Sequence, residues 1–199
     1  QNASTPWEWH EELFKRAKSN GLKIFSSPFD PTAVDFLEKL QVPAYKIASF
    51  ELVDTPLISK VASTNKPIIM STGVANYSEI EEACLVAKKS QQGFALLHCV
   101  SAYPAKAEEM NLRTLSALSL AFGAEVGLSD HTLGSAVSVA AISLGASIIE
   151  KHITLRRDDG GPDAEFSLEP KEFKKLVREC KFAYQALGDP LFDRIGLGG

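Results

Sequence analysis

The chain has 199 residues, 45% of them apolar and 23% charged, the balance of a globular protein able to bury a core, which excludes collagen-like and disordered classes. Its 21 Lys and Arg against 25 Asp and Glu give a net charge of −4 with no basic block, so nucleic acid is not an expected partner. Three cysteines, Cys84, Cys99 and Cys180, form no CxxC pair and point to a reducing, cytoplasmic setting. No apolar run reaches the ~18 residues of a membrane span, and the first residues, QNASTPWEWHEE, lack a signal-peptide pattern.

Trp7–Asn20 reads as a helix with no strand of its own before it. Short β-rich runs then alternate with amphipathic stretches: Lys23–Ser27, Ala44–Ala48, Pro67–Ser71, Phe94–Cys99, Glu125–Ser129 and Ser147–His152. Their starts lie about 20–30 residues apart, the spacing of βα units in a parallel sheet. Asp30-Pro31 and Thr55-Pro56 each place a cap before a proline in a first helical turn. Asn76 and Glu79 have capping-box spacing, and Asn111 opens a helix that Gly123 closes. Gly145 ends the next helix, and Gly188 ends the last, which starts near Pro170. Gly196–Gly199 reads as a frayed end.

The first strand ends in SSPFDP, without the glycine-rich phosphate loop expected of a doubly wound sheet. Polar residues instead close nearly every strand, as in a (β/α)₈ barrel. A full barrel takes roughly 250 residues. The expectation is therefore an α/β fold: an incomplete (β/α)₈ TIM barrel of about six βα units, strands 3–8, forming one partial catalytic domain over residues 1–199.

Period-2 alternation puts Gly127, Ser129 and His131 on one face, and Ile148, Glu150 and His152 on one face of the neighbouring strand. Two imidazoles at the same end of adjacent strands can share a divalent metal; the plainer reading is two unrelated polar residues bonded to loops. Lys46 lies between Ala44 and Ala48 on its own face. A buried lysine needs an anion, either a substrate phosphate or carboxylate or a structural carboxylate. Ser27, Ser49, Ser101 and Ser129 fall at or just past strand ends, where they serve as turn residues or hydrogen-bond a phosphate between them. Glu51 orients a sugar hydroxyl or caps a helix, and Asp163, in the loop DDGGPDAEF, is similar. Tyr103 lines the mouth. His98 reads as a packed histidine and His10 as a surface one. Cys99 and His98 are adjacent on a strand, point to opposite faces and cannot form a dyad. Arg156–Asp159 reads as a solvated charge run.

The segments FSSPFD, YKIASFEL, STG, LLHCVSAYP, GLSDHT, EKHITL and GGPDAEFSLEP, in this order, resemble the sialic acid synthase family over about Leu22–Leu187, with wording closest to its pseudaminic acid branch. The resemblance implies a TIM barrel followed by an antifreeze-like domain. Here the first two strands and that domain are expected to be absent. It implies condensation of phosphoenolpyruvate with an N-acetylated amino-sugar aldehyde to a nine-carbon 2-keto sugar acid, with loss of phosphate by C–O cleavage. It implies a divalent metal, Mn²⁺ or Mg²⁺, on His131 and His152. Ser27, Lys46, Ser49, Ser101 and Ser129 would hold phosphoenolpyruvate, and Phe29, Glu51, Tyr103 and Asp163 would face the sugar. Lys46 would neutralise the phosphate, Glu51 is the candidate for moving a proton, and the parent is expected to be a homodimer. The alternatives are another condensing barrel using phosphoenolpyruvate and an aldose, or a non-catalytic remnant that binds a sugar phosphate or a partner.

Overall fold

A computed structural model describes residues 5–190. Five parallel strands stand side by side in chain order: β1 (Tyr45–Ile47), β2 (Ile68–Ser71), β3 (Phe94–Cys99), β4 (Glu125–Asp130) and β5 (Ile148–Lys151). Flat strands spaced ~4.8 Å apart would put β1 about 19 Å from β5. Yet Lys46 Nζ on β1 lies 3.6 Å from Glu150 Oε1 on β5. The sheet is therefore curled, an arc of a barrel with both side chains pointing to its inside.

The register fixes which side chains share that inside. Cys99 pairs with Ser129 and Ser129 with Glu150; one level below, Ser71 pairs with Leu97, Leu97 with Gly127, and Gly127 with Ile148. That lower level is packed solid: a Cβ on Gly127 would sit 2.5 Å from the Ile148 carbonyl and 2.6 Å from Leu97 Cδ2. The alternate residues, including Ile47, Met70, Leu96 and Leu128, face outward and are fully buried against the helices as the main core. Strands buried on both faces read as nearly continuous apolar runs, as IIMS and FALLHC do.

The helices are α1 (Trp7–Ser19), α2 (Pro31–Lys39), α3 (Thr55–Ser63), α4 (Tyr77–Ala87), α5 (Thr114–Phe122), α6 (Ala136–Ser143) and α7 (Pro170–Leu187). Asp30 caps α2 by accepting from Thr32 N and Ala33 N, and the Asn76–Glu79 capping box is formed at α4. The α3 cap is Asp54, whose Oδ1 accepts from Leu57 N, one residue before the expected Thr55. The helix expected from Asn111 starts at Thr114, because Asn111 is a left-handed turn residue at φ 42° whose carbonyl accepts from Thr114 N. Gly123, in the left-handed region at φ 61°, closes α5 as expected.

The count of six strands is corrected to five. Lys23–Ser27 carries no ladder among the described residues. Its one backbone bond to the sheet is from Lys46 N to the Ser26 carbonyl, 3.4 Å, so it lies extended beside β1 without pairing as a strand. His10 is buried rather than exposed, with Nδ1 donating to the Pro6 carbonyl and its ring edge-on to Phe36 at 5.2 Å. Arg157, expected in a solvated charge run, clamps α7 instead: its guanidinium grips both oxygens of Glu172 at 2.5 and 3.0 Å. Gly196–Gly199 lies outside the described residues.

Candidate active site

At the C-terminal ends of the strands a cavity of about 380 Å³ is lined by Ser27, Lys46, Ser49, Ser71, Cys99, Tyr103, Ser129, Glu150, His131 and His152, among others. This is the end at which βα barrels carry their chemistry. It collects most of the residues singled out in the sequence.

Lys46 is the buried cation of this cavity. Its Nζ donates to Ser71 Oγ at 2.7 Å and faces Glu150, which in turn accepts from Ser129 Oγ at 2.7 Å. Of the two anions considered for Lys46, a structural carboxylate is thus present, at 3.6 Å; with Nζ also donating to the Ile47 carbonyl at 3.4 Å, one ammonium proton is left to be shared between Glu150 and a further acceptor. Ser71 and Glu150 were not assigned roles from sequence. Glu150 shares its strand face with Ile148 and His152, so the alternation that found His152 carried the signal. Ser71 stands in the STG segment, and nothing local distinguished it from a turn serine.

His131 and His152 lie as the alternation requires, on one face with ring centroids 5.3 Å apart. A carbonyl only accepts, so the 2.9 Å contact between His131 Nδ1 and the Val100 carbonyl places the proton on Nδ1 and leaves the lone pair on Nε2. His152 Nδ1 lies 3.5 Å from Asp163 Oδ2. Burial holds His152 below its ordinary value, the Asp163 carboxylate opposing this and the charge of His131 adding to it. Burial also pushes His131 down, but the Cys99 thiol, the Val100 carbonyl and the Glu150 carboxylate outweigh it and hold that ring above the usual value. Cys99 Sγ stands 3.8 Å from His131 Nδ1. The thiol therefore faces His131, a relation that looking only at its neighbour His98 missed. His98 is packed on the other face, donating from Nε2 to the Met110 carbonyl at 2.6 Å.

The ring of Tyr103 lies over His131, centroids 4.3 Å apart, and with Phe166 walls the imidazole pair. Two of the candidate residues end in buried oxygens that find no partner among the described residues: Ser101 Oγ and Glu51 Oε2. Buried polar atoms are rarely left so. Ser101 also crowds Gly73, where a Cβ would come 2.6 Å from Ser101 Oγ and 3.0 Å from both Ser49 Oγ and Cys99 Sγ. Glu51 sits in a 3₁₀ turn, Phe50–Val53, after β1 and caps no helix through its side chain. Phe29 is placed apart from these residues; it is exposed and lines a neighbouring cleft with Trp7, His10 and Phe36.

The donor set fits a divalent ion in one respect and is sparse in another. Two imidazoles converge, one with its tautomer fixed, but among the described residues no third His, Cys, Asp or Glu completes a ligand cluster. Catalytic metal sites keep positions open for water and substrate oxygens, and a two-imidazole start is consistent with that. The curled parallel sheet thus carries an ammonium, unpartnered hydroxyl and carboxyl oxygens and an imidazole pair at its C-terminal mouth, the arrangement of a βα-barrel segment.

The chain matches the NeuB family over residues 1–191, and it belongs to that family. It is 48% identical over 190 residues to the pseudaminic acid synthase of Helicobacter pylori, covering 95% of this chain and 56% of that protein. It is 45% identical to the N,N'-diacetyllegionaminic acid synthase of Campylobacter jejuni, covering 90% and 55%. The crystal structure of an N-acetylneuraminic acid synthetase from Leptospira borgpetersenii in complex with citrate superposes with a TM-score of 0.92 at 35% identity, over 96% of this chain and 67% of that one. The chain thus spans about half the length of the two synthases it resembles in sequence. No helix among the described residues is long and apolar enough to cross a membrane.

Proposed function

We propose that the protein containing this chain condenses phosphoenolpyruvate with an N-acetylated amino-sugar aldehyde, giving a nine-carbon 2-keto sugar acid and phosphate. The pseudaminic acid type is favoured by the 48% identity to a pseudaminic acid synthase. The observation that carries the reading is the pairing, in one cavity, of the buried Lys46 ammonium with the imidazoles of His131 and His152.

Lys46, with Ser27, Ser49, Ser101 and Ser129, takes the phosphate and carboxylate oxygens of phosphoenolpyruvate. The partnerless Ser101 Oγ has a hydrogen bond still to give. A charge-assisted contact of this kind is worth roughly 1.5–3 kcal/mol and fixes the enol carbon in place. His131 and His152 would hold a divalent ion, Mn²⁺ or Mg²⁺; when bound, it supplies Lewis-acid polarisation of the aldehyde oxygen. The enol carbon attacks the aldehyde carbon, water adds at the carbon bearing the phosphate, and the tetrahedral centre loses phosphate by C–O cleavage. Glu51 is assigned to take the proton from that water, with Glu150, hydrogen-bonded within the cavity, as the other candidate carboxylate. Tyr103 and Asp163, both beside His152, would face the sugar, and Phe29, in the neighbouring cleft, would meet it only if it extends that far. The protein's setting is read as cytoplasmic and its assembly as a homodimer.

The test uses phosphoenolpyruvate labelled with ¹⁸O in the bridging oxygen, an N-acetylated amino-sugar aldehyde, Mn²⁺ and the complete protein. Label recovered in inorganic phosphate, with a nine-carbon acid in the product, is expected. Label retained in the organic product, or no phosphate release with any such aldehyde, would sink the reading.

A further inference from the structure

The histidine pair has an ionic counterpart on the other side of the sheet. Asp130 and Lys151 are register partners on β4 and β5, each immediately before one of the histidines. Alternation turns them to the opposite face from His131 and His152. Both side chains are sealed from water, 0% and 1% exposed, with Lys151 Nζ 2.9 Å from Asp130 Oδ2. Asp130 Oδ1 also accepts from Thr132 N at 2.8 Å and Thr132 Oγ1 at 2.7 Å, while Oδ2 accepts from Ser138 Oγ at 2.5 Å. Lys151 Nζ donates to the Thr132 carbonyl as well. The residue after His131 is thereby tied at its amide, its hydroxyl and its carbonyl to the two charged residues that precede the histidines. The remaining backbone bonds complete the clamp: Ala105 N donates to the His131 carbonyl and Leu168 N to the His152 carbonyl.

A buried ion pair is poor support for stability as such, since apolar replacements of similar volume are often neutral. The dense bonding of this one to the backbone around His131 calls for another purpose. We infer that Asp130 and Lys151 are positioning residues that hold the two imidazoles at the spacing a shared divalent ion requires. This rests on the reading of His131 and His152 as ligands. Loss of the lock lets β4 and β5 ends shift relative to each other, and outer partners of metal ligands typically carry a 10- to 100-fold effect on affinity.

The experiment titrates the complete protein with Mn²⁺, reading free Mn²⁺ by electron paramagnetic resonance, with thermal unfolding recorded in parallel. The double variant Asp130→Asn/Lys151→Met removes both charges together. It is expected to unfold cooperatively and to bind Mn²⁺ about 10- to 100-fold more weakly. Ser138→Ala, which takes one donor from Asp130 and touches no charge, is expected to weaken binding about three- to fivefold, and it carries the test if the double variant does not fold. Lys66→Met breaks a surface ion pair with Glu38 at the far end of the strands and is expected to leave Mn²⁺ affinity unchanged. Wild-type affinity in the folded double variant or in Ser138→Ala, or an equal loss in Lys66→Met, would overturn the inference while leaving the ligand reading intact. A wild-type protein that binds no Mn²⁺ would overturn both.

Discussion

The two ends of the sheet each open into a cavity, and the one at the N-terminal ends is the larger, about 780 Å³ against 380 Å³ at the C-terminal ends. Around the larger cavity, serine hydroxyls and a backbone amide are already occupied with the fold. Ser90 Oγ donates to the Lys66 carbonyl, Ser119 Oγ to the Ala124 carbonyl and Ser147 Oγ to the Val126 carbonyl, and Asn65 Oδ1 accepts from Gln91 N. At the C-terminal ends the polar side chains meet one another, Lys46 with Ser71 and Ser129 with Glu150, and two oxygens are left over. The smaller cavity is the candidate site on the strength of its buried polar side chains that meet one another, not on its size.

Substitutions at the two ends should therefore separate into losses of activity and losses of stability. The largest effect is expected from Lys46→Met in the complete protein. Removing the charge-assisted contact should lower kcat/KM about 10- to 150-fold, chiefly through a raised KM for phosphoenolpyruvate. Steady-state kinetics with that substrate unchanged would remove Lys46 from the anion site. Gly73→Ala should cost about tenfold in kcat/KM by pushing aside the hydroxyls of Ser101 and Ser49, with cooperative unfolding retained. Full activity in that variant would show that these hydroxyls have slack.

At the other end, Ser90→Ala should leave kinetics alone and cost about 1 kcal/mol, a fall in Tm of roughly 2–4 °C, because it strands the Lys66 carbonyl. A kinetic defect without a fall in Tm would break the comparison. The smallest effect concerns Glu172, which the Arg157 guanidinium and then the Glu169 amide hold at about 2, below the ordinary 4.5. A depressed carboxylate stabilises the fold above its unfolded value. This contribution is present above pH 4.5 and fades as pH falls toward 2. The pair is part-exposed, so it is worth ~0.5 kcal/mol or less. Glu172→Gln should lower Tm slightly at neutral pH, and the difference from wild type should vanish toward pH 2; a difference that grows on acidification would contradict the assignment.

Much of this architecture was legible because the signals were local and periodic. Strand spacing, the Asp30 and Asn76 caps and the shared face of His131 and His152 all follow from the order of residues. What was not legible depended on curl or on distant partners. Alternation alone does not bring Lys46 on the first strand to Glu150 on the fifth; only bending of the sheet does. Cys99 was weighed against its neighbour His98, whereas its contact, His131, lies 32 residues away. The Asp130–Lys151 pair carries no local signal, because only the register sets the two residues opposite one another. Lys23–Ser27 has the composition of a strand, but composition does not supply a ladder.

The order of the strands in the sheet is their order in the chain. Among the described residues, no strand has to be threaded between two that precede it in the chain. Each finds its partner one βα unit back, so the pairing is parallel yet local by the standard of parallel sheets, and the entropy of closing each loop stays nearly constant from unit to unit. Each described βα unit can thus add to the pair before it, its helix covering the outer face of the strands just joined. The imidazole pair, carried past the ends of β4 and β5, forms only when those two strands have paired. The candidate site would take shape only once the strands beneath it have joined.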